Sequence, residues 1–386
     1  MFKDNPKLKS IFSCGFLLSF HVALTAYVNS SFLSTFLAER NVGWMYVVGS
    51  LSSIAALLLI PKLLRKIGGY KFLLLSVGLN AICLLSLSIF KSASVILPIF
   101  LIYYVLNIVI VFSLDELLEI FSKNSKVGRV RGLYLAIMSS AWVIAQIVSA
   151  KVLHNFSFGL LYFISFEIMT VLLVVSYFYL KGLPDPEYDR SPIWPGIKKF
   201  FRKGALKRAY AMNFIMQFFY AFMVIYTPIY LHSYLLFSWA EIGTMFTIML
   251  TPFVFMPFPL GKYSDKIGER KILIYGFALA ALATFFLFFI KVHVVWVWTL
   301  MLFMTRLGVA SVEIMCDVYF FKHITPEDDE FIGIYRNTSP VAFVLAPMVA
   351  FLILSFAPAF NFIFLVLGIM LILGVYVATT IRPSDI

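Results

Sequence analysis

Gly261-Lys-Tyr-Ser-Asp265-Lys266-Ile-Gly268-Glu-Arg270-Lys271 is a short basic segment between two long apolar stretches. A second segment of the same length lies earlier in the chain and reads Pro61-Lys-Leu-Leu-Arg65-Lys66-Ile-Gly68-Gly-Tyr-Lys71. Five positions are identical in the two segments, namely Lys62/Lys262, Lys66/Lys266, Ile67/Ile267, Gly68/Gly268 and Lys71/Lys271. A basic loop of fixed length that recurs between apolar stretches indicates a duplicated bundle of membrane helices.

Apolar residues dominate the composition: 62% of the 386 residues are hydrophobic and 13% are charged. A soluble domain is about half apolar and about a quarter charged, so this chain lacks the polar side chains to cover itself in water. Apolar stretches of about 20 residues match a hydrocarbon core of roughly 30 Å. They lack the short alternating pattern of a membrane barrel, so we expect an all-α integral membrane protein. Twelve transmembrane helices are predicted, near 10–36, 43–65, 71–90, 93–122, 130–154, 157–180, 209–234, 240–260, 271–290, 294–322, 331–355 and 359–380.

The repeat extends to the later helices of each half. Gly132-Leu-Tyr134 corresponds to Gly333-Ile-Tyr335, and at the same offset Ala145-Gln146 corresponds to Ala346-Pro347. The predicted domains are therefore two six-helix bundles, 1–180 and 209–386, joined by a linker at 181–208. Each bundle has an even number of spans, so the two are parallel repeats with the same orientation in the membrane.

The charges lie on one side of the predicted topology. Most of the 31 lysine and arginine residues fall in alternate loops, and the opposite side has only Arg40, Lys91, Lys151 and Lys291. The positive-inside rule then places both termini in the cytoplasm. We expect the membrane to be a prokaryotic-type plasma (inner) membrane. The net charge of +12 is thus attributed to basic loops that lie against anionic lipid, and we expect no nucleic-acid partner.

The linker contains an amphipathic segment. Ile193, Trp194, Ile197, Phe200 and Phe201 follow helical spacing, and Lys198, Lys199, Arg202 and Lys203 lie opposite them. The pattern is typical of a helix that lies in the membrane interface. Docking onto a partner is the alternative.

The loop at 261–271 resembles the sequence signature of a known family. Gly261, Asp265, Lys266, Gly268, Arg270 and Lys271 satisfy the fixed positions of the signature loop of the major facilitator superfamily, and the chain resembles this family over nearly its whole length. The resemblance implies a secondary active transporter that works by alternating access. Its two halves would rock around a central cavity lined mainly by helices 1, 4, 7 and 10.

The first copy of the loop departs from the family pattern, because Arg65 stands where the motif has an aspartate. In the family this carboxylate lies against the start of a helix of the other half, where backbone N–H groups and partial positive charge attract it. We expect Asp265 near Arg131, and Arg65 near Asp328 and Asp329, as a charge swap between loops. The alternative is that the acidic run at 327–330 only complements the start of helix 11.

Helix 10 carries ionisable residues inside the membrane, where such side chains are costly unless they face protein or water. Arg306 is near its middle, and Glu313 and Asp317 follow on the same face. We expect Arg306 to bind an anionic group of the substrate, or a carboxylate that releases it. Glu313 is the candidate proton site, since burial favours the neutral carboxyl. The alternative is a fixed ion pair, such as Glu313 with Arg336 of helix 11.

Other polar residues lie in spans that the resemblance assigns to the cavity. His21, Asn107, Gln217 and Tyr220 are candidates for the substrate or ion pathway, as are Asn29, Asn213 and Tyr226. Each can equally hydrogen-bond a neighbouring helix. Glu167 in helix 6 is expected to face inward. Pro340 is expected to bend or open helix 11.

These observations predict a transporter of a small organic solute, either coupled to ions or protons or facilitative, rather than an enzyme. The five histidines have no metal-ligand spacing and no Gly-rich phosphate loop occurs, so we expect no metal and no cofactor. The alternatives are a sensor or lipid scramblase of the same fold, or a membrane enzyme acting on lipid-linked substrates. A monomer is expected.

Overall fold

The computed structural model describes residues 6–119, 127–182, 193–256, 260, 267–324 and 330–381. The helices of the first half are α1 (Pro6–Ala26), α2 (Asn29–Ser34), α3 (Glu39–Ile67), α4 (Gly69–Ile89), α5 (Ala93–Glu119), α6 (Val127–Asn155) and α7 (Phe158–Tyr179). A short helix, α8 (Ile193–Arg202), follows in the linker. The helices of the second half are α9 (Gly204–Ile229) with a π-turn at Tyr230–Tyr234, α10 (Trp239–Leu250), α11 (Pro252–Phe255), α12 (Glu269–Phe289), α13 (Val295–Lys322), α14 (Glu330–Arg336), α15 (Thr338–Phe356) and α16 (Phe362–Thr379).

Ten of the described helical segments are long and apolar enough to cross a membrane. A shorter apolar segment occupies Trp239–Phe255, and α3 is a further helix of 29 residues. No strand occurs in the described ranges. The prediction of an all-α membrane fold is therefore confirmed.

The chain divides into two compact units. Unit 1 comprises Met1–Ala38, Val48–Asp189 and Ser238–Gly243, and unit 2 comprises Glu39–Val47, Arg190–Phe237 and Thr244–Ile386. The predicted domain boundaries at residues 180 and 209 remain a sequence-based prediction.

The two units have the same internal packing. In unit 1, α1 packs against α5, α6 and α7, and α4 packs against α5 and α7. In unit 2, α9 packs against α13, α15 and α16, and α12 packs against α13 and α16. Each pair in one unit has its counterpart in the other when helices are matched in chain order. The internal repeat inferred from the two basic loops is thus visible in the packing of each half.

Small residues bring helix backbones together at repeated positions. A Cβ added to Gly243 would lie 1.9 Å from the Cβ of Ala150, and one added to Gly43 would lie 2.9 Å from the Cβ of Pro347. Gly276 and Gly308 meet where α12 crosses α13, since a Cβ on Gly308 would lie 2.5 Å from the carbonyl oxygen of Gly276. Close backbone approach is how membrane helices gain packing energy without a hydrophobic driving force. Gly308 lies two residues after Arg306, so this contact holds α13 against α12 close to Arg306.

Both copies of the basic loop turn at a glycine. Gly68 has φ 87° and Gly268 has φ 79°, a region that favours glycine because other residues have a Cβ. Gly68 ends α3 and precedes α4, while Gly268 precedes α12.

The predicted span at 331–355, called helix 11 in the sequence analysis, is broken near Pro340, as predicted. α14 ends at Arg336, Asn337 is not helical, and α15 begins at Thr338. The side chain of Asn213 on α9 donates to Tyr335 O at 3.3 Å and to Thr338 Oγ1 at 2.8 Å. These bonds satisfy polar groups at the break.

The expectation for Glu167 is wrong. Its side chain is exposed on α7, on the same face as the exposed side chains of Phe163, Val171 and Val174. The prediction failed because α7 is apolar on every side. Sequence pattern then cannot tell a face toward lipid from a face toward protein.

Candidate functional site

Arg306 is the most buried charge of α13. Its side chain is 1% exposed. The guanidinium carbon lies 5.3 Å from the ring centroid of Phe219 and 5.2 Å from that of Tyr220, both on α9. A cation over aromatic rings is stabilised by their negative faces, most strongly where water is excluded. The rings therefore hold a positive charge inside the helix bundle of unit 2.

Glu313 lies on the same side of α13, roughly 10 Å further along the helix axis at 1.5 Å per residue. The Tyr220 hydroxyl donates a hydrogen bond of 2.7 Å to Glu313 Oε2. Tyr220 thus contacts both charged residues, with its ring at Arg306 and its hydroxyl at Glu313. The sequence grouped these three residues as candidates, and the structure brings them together.

Asp317 continues this row toward the end of α13. It accepts a 3.1 Å hydrogen bond from the Tyr335 hydroxyl, and its Oδ2 lies 3.9 Å from Arg336 Nη2. Arg336, which the sequence suggested as a partner for Glu313, is therefore paired with Asp317. The pair is partly solvated, with 61% of the Arg336 side chain and 36% of the Asp317 side chain exposed.

A polar row on α9 faces the same region. Asn213, Gln217 and Tyr220 follow at helical spacing, and Asn213 and Tyr220 are hydrogen-bonded as described above. Gln217 is half-buried, and within the described ranges no hydrogen bond involves its side chain. Its amide therefore keeps one acceptor and two donor protons that a solute can use.

Unit 1 contains a second polar network, built from α1, α4 and α5. His21 Nε2 lies 3.1 Å from Asn107 Oδ1, and Asn80 Nδ2 donates to Asn107 Oδ1 at 3.0 Å and to Tyr103 O at 3.4 Å. Thr25 Oγ1 and the Tyr103 hydroxyl are 2.7 Å apart. All the helices that the network joins belong to one bundle.

This network determines the proton position on neutral His21. Because Asn80 also donates to a backbone carbonyl, its nitrogen is fixed, and Asn107 Oδ1 must be an acceptor. His21 Nε2 is then the donor, which leaves a lone pair on Nδ1 of the neutral ring. His21 is fully buried, and its Nδ1 has no hydrogen-bond partner among the described residues. His21 and Asn107 are thus hydrogen-bonded within unit 1, and their place in the substrate or ion pathway stays a prediction.

The signature loop is described only in part. Gly261, Asp265 and Lys266 lie outside the described residues, as do Asp328 and Asp329, and the side chain of Arg131 is not described either. The proposed charge swap between the loops therefore stays a prediction. Of the remaining members, Arg65 and Lys71 are exposed, and so is Lys271. Arg270 Nη2 donates to Thr379 O at 2.7 Å, at the end of α16.

Two features of these networks were missed by the sequence interpretation. Glu269, whose side chain is 3% exposed, forms an ion pair with Lys322 at the end of α13. Asn80 was overlooked. It is a polar residue in an apolar stretch, as Asn107 is, so the criterion that selected Asn107 would also have selected Asn80. The Glu269 pair had no signal, because it joins residues far apart in the chain.

The unit 2 cluster can bind an anion and exchange a proton. Arg306 offers a planar guanidinium suited to carboxylate or phosphate, and Glu313 offers a carboxyl about 10 Å further along the same helix. Across the described ranges, no group of three or more His, Cys, Asp and Glu side chains has the arrangement of a metal site.

Comparisons with known proteins agree with this architecture. The family model of the Major Facilitator Superfamily matches residues 209–385. A crystal structure of a mutant of the nucleoside transporter NupG superposes with a TM-score of 0.76 at 13% identity, covering 97% of this chain and 99% of that one. A bacterial homologue of the human lysosomal transporter Spinster, in an inward-facing and unoccupied conformation, gives 0.73 at 11% identity, covering 96% and 95%. No curated protein matches the sequence.

Identities this low show the fold alone, whereas the sequence match over the second half is evidence of ancestry. The chain is a multi-pass membrane protein and a transporter rather than an enzyme. The second half of the chain thus matches the Major Facilitator Superfamily in sequence, and the whole chain shares the fold of two solved transporter structures.

Proposed function

We propose that this protein is a proton-coupled secondary transporter of a small organic solute that carries an anionic group. Arg306 binds that group, Gln217 hydrogen-bonds the solute, and Glu313 binds the proton. The observation that carries the proposal is the contact of one side chain, Tyr220, with both Arg306 and Glu313.

The physical basis is a coupling free energy between two sites that share Tyr220. When Glu313 is ionised, its carboxylate accepts the Tyr220 hydroxyl and contributes negative charge near Arg306. When Glu313 is protonated, that negative charge is absent and the guanidinium attracts an anion more strongly. Proton and anion then favour each other's binding, and by linkage the effect is reciprocal. Alternating access with this coupling moves the two species together.

The orientation is part of the proposal. Basic loops on one side support cytoplasmic termini and a prokaryotic-type inner membrane. Lys91 then lies on the outer side, in the loop between α4 and α5. A cysteine placed at Lys91 is expected to react with a membrane-impermeant maleimide in intact cells, whereas labelling only after lysis would reverse the orientation.

The function is tested by flux into proteoliposomes. The panel contains carboxylates, phosphorylated metabolites, amines and nucleosides, the last because a transporter of nucleosides shares the fold. We expect an inwardly directed proton gradient to drive accumulation of a carboxylate or phosphate compound, and a protonophore to abolish it. Exclusive transport of cations would contradict the anion site. Movement of lipid without solute flux would favour the scramblase alternative.

A further inference from the structure

α8 presents a basic surface at the start of a membrane span. Lys198, Lys199, Arg202 and Lys203 are exposed, and so is Lys207 in the first turns of α9. No aspartate or glutamate occurs between Asp189 and Glu241. Lys198, Arg202 and Lys207 give this surface, called here the α8 basic face, an exposed positive charge.

The position of the α8 basic face selects its partner. α8 ends at Arg202 and α9 begins at Gly204, at the first residue of the span Gly204–Tyr234. Cations within one or two turns of a span lie at the depth of lipid headgroups, where anionic phosphates attract them. Phe201, 40% exposed, adds an apolar contact of the kind that interfacial helices use.

The other side of α8 is docked onto unit 2. Phe200 is fully buried, and its ring centroid lies 5.4 Å from that of Phe331 on α14 and 6.4 Å from that of Phe320 on α13. The ammonium groups of Lys199 and Lys203 lie 5.1 Å and 5.0 Å from the Phe331 ring centroid. α8 therefore covers the ends of α13 and α14 while its cations remain at the surface.

This docking reaches the charged row of α13. Phe320 stacks on Tyr335 with ring centroids 4.0 Å apart and planes 7° from parallel. Tyr335 in turn donates its hydroxyl to Asp317. An unbroken series of contacts thus runs from Phe200 through Phe320 and Tyr335 to Asp317. α14 is only seven residues long, so tertiary contacts must hold it in place.

We propose that the α8 basic face binds anionic lipid headgroups and that lipid bound there keeps α8 on α13 and α14, with Tyr335 on Asp317. Transport then requires anionic lipid, with Phe200 as the positioning residue that conveys the requirement. The lipid-binding part is independent of the proposed transport activity, and only the effect on flux rests on that activity.

Lipid binding is tested first, without any solute. Purified protein in a neutral detergent is titrated with short-chain phosphatidylglycerol while thermal unfolding is followed, and phosphatidylcholine serves as the reference. We expect phosphatidylglycerol alone to raise the unfolding temperature. In a Lys198→Gln/Arg202→Gln/Lys207→Gln variant, the concentration for half the effect is expected to rise about fivefold for each cation removed.

A matched variant tests whether position matters. Lys91→Gln/Lys151→Gln/Lys291→Gln removes the same number of exposed cations from other parts of the chain, and it is expected to keep the wild-type titration. Equal weakening in the two triple variants would overturn the proposal, since any cation near lipid would then suffice. Stabilisation by phosphatidylcholine equal to that by phosphatidylglycerol would also overturn it.

Flux is then compared in vesicles of phosphatidylcholine with and without phosphatidylglycerol. Wild-type protein is expected to be several-fold faster with phosphatidylglycerol, and the α8 triple variant is expected to lose this stimulation. Phe200→Ala is expected to bind phosphatidylglycerol but show no stimulation, and Phe200→Leu to recover it. Stimulation that survives in Phe200→Ala would contradict the positioning role. If wild-type protein binds lipid but moves no solute, the proposed function fails and the lipid site stands.

Discussion

Replacing Arg306 by glutamine is expected to lower the initial rate of solute uptake by roughly 10- to 150-fold. A hydrogen bond to a charged partner contributes about 1.5–3 kcal/mol, and each 1.36 kcal/mol is about tenfold in rate or affinity. The upper end applies if the anion meets the guanidinium away from water, which the 1% exposure of Arg306 favours. The measurement is initial uptake into proteoliposomes over a range of solute concentrations.

Arg306→Lys separates charge from geometry. Lysine keeps the positive charge but loses the planar fork that matches a carboxylate or phosphate and stacks on aromatic rings. We expect a loss smaller than that of Arg306→Gln, with selectivity among anions relaxed. Thermal unfolding of each variant controls for folding. A glutamine variant with wild-type rate and affinity would remove Arg306 from the binding site.

Arg336→Gln provides the comparison within the same row of charges. It also removes one positive charge from unit 2, but 61% of the Arg336 side chain is exposed and its contact with Asp317 is 3.9 Å long. Exposed ion pairs contribute about 0–1 kcal/mol, so the change in rate is expected to be at most about fivefold. Similar losses in the two variants would mean that net charge, rather than the place of Arg306 beside the Phe219 and Tyr220 rings, governs uptake.

The fold could be predicted from the sequence because its signals are local and repeated. Gly68 and Gly268 recur in matching loops, and both have a positive φ in the structure. The break before Pro340 followed from the missing N–H group of proline. Each of these inferences depends on a few neighbouring residues.

The site could be predicted only as a set of residues on α13 and α9. Helical spacing placed Arg306, Glu313 and Asp317 on one face, but it could not show that Tyr220 lies between the first two, because that depends on how α9 is rotated against α13. The same limit explains why the sequence did not show that Glu167 is exposed on α7 and that Phe200 packs against α13 and α14. Lipid and protein interior are about equally apolar, so composition does not tell which face of a helix is covered.

Replacing Glu313 by glutamine is expected to abolish proton-driven accumulation while solute exchange continues. Glutamine resembles the protonated carboxyl in shape and accepts the Tyr220 hydrogen bond, but it cannot release a proton. One titrating group changes flux by at most about tenfold per pH unit, and this dependence is expected to disappear in the variant. The measurements are uptake against a gradient and exchange of labelled for unlabelled solute, each over a range of pH.

Glu167→Gln is the matched control, since it removes a carboxyl of the same kind from another span. Glu167 is exposed on α7, and no hydrogen bond or ion pair to it occurs among the described residues, whereas Glu313 is held by Tyr220. The control is expected to keep both accumulation and the pH profile. Loss of accumulation in Glu167→Gln but not in Glu313→Gln would move the proton site from α13 to α7. A wild-type pH profile in both variants would mean that a group other than these two carboxyls binds the proton, and it would contradict the role proposed for Glu313.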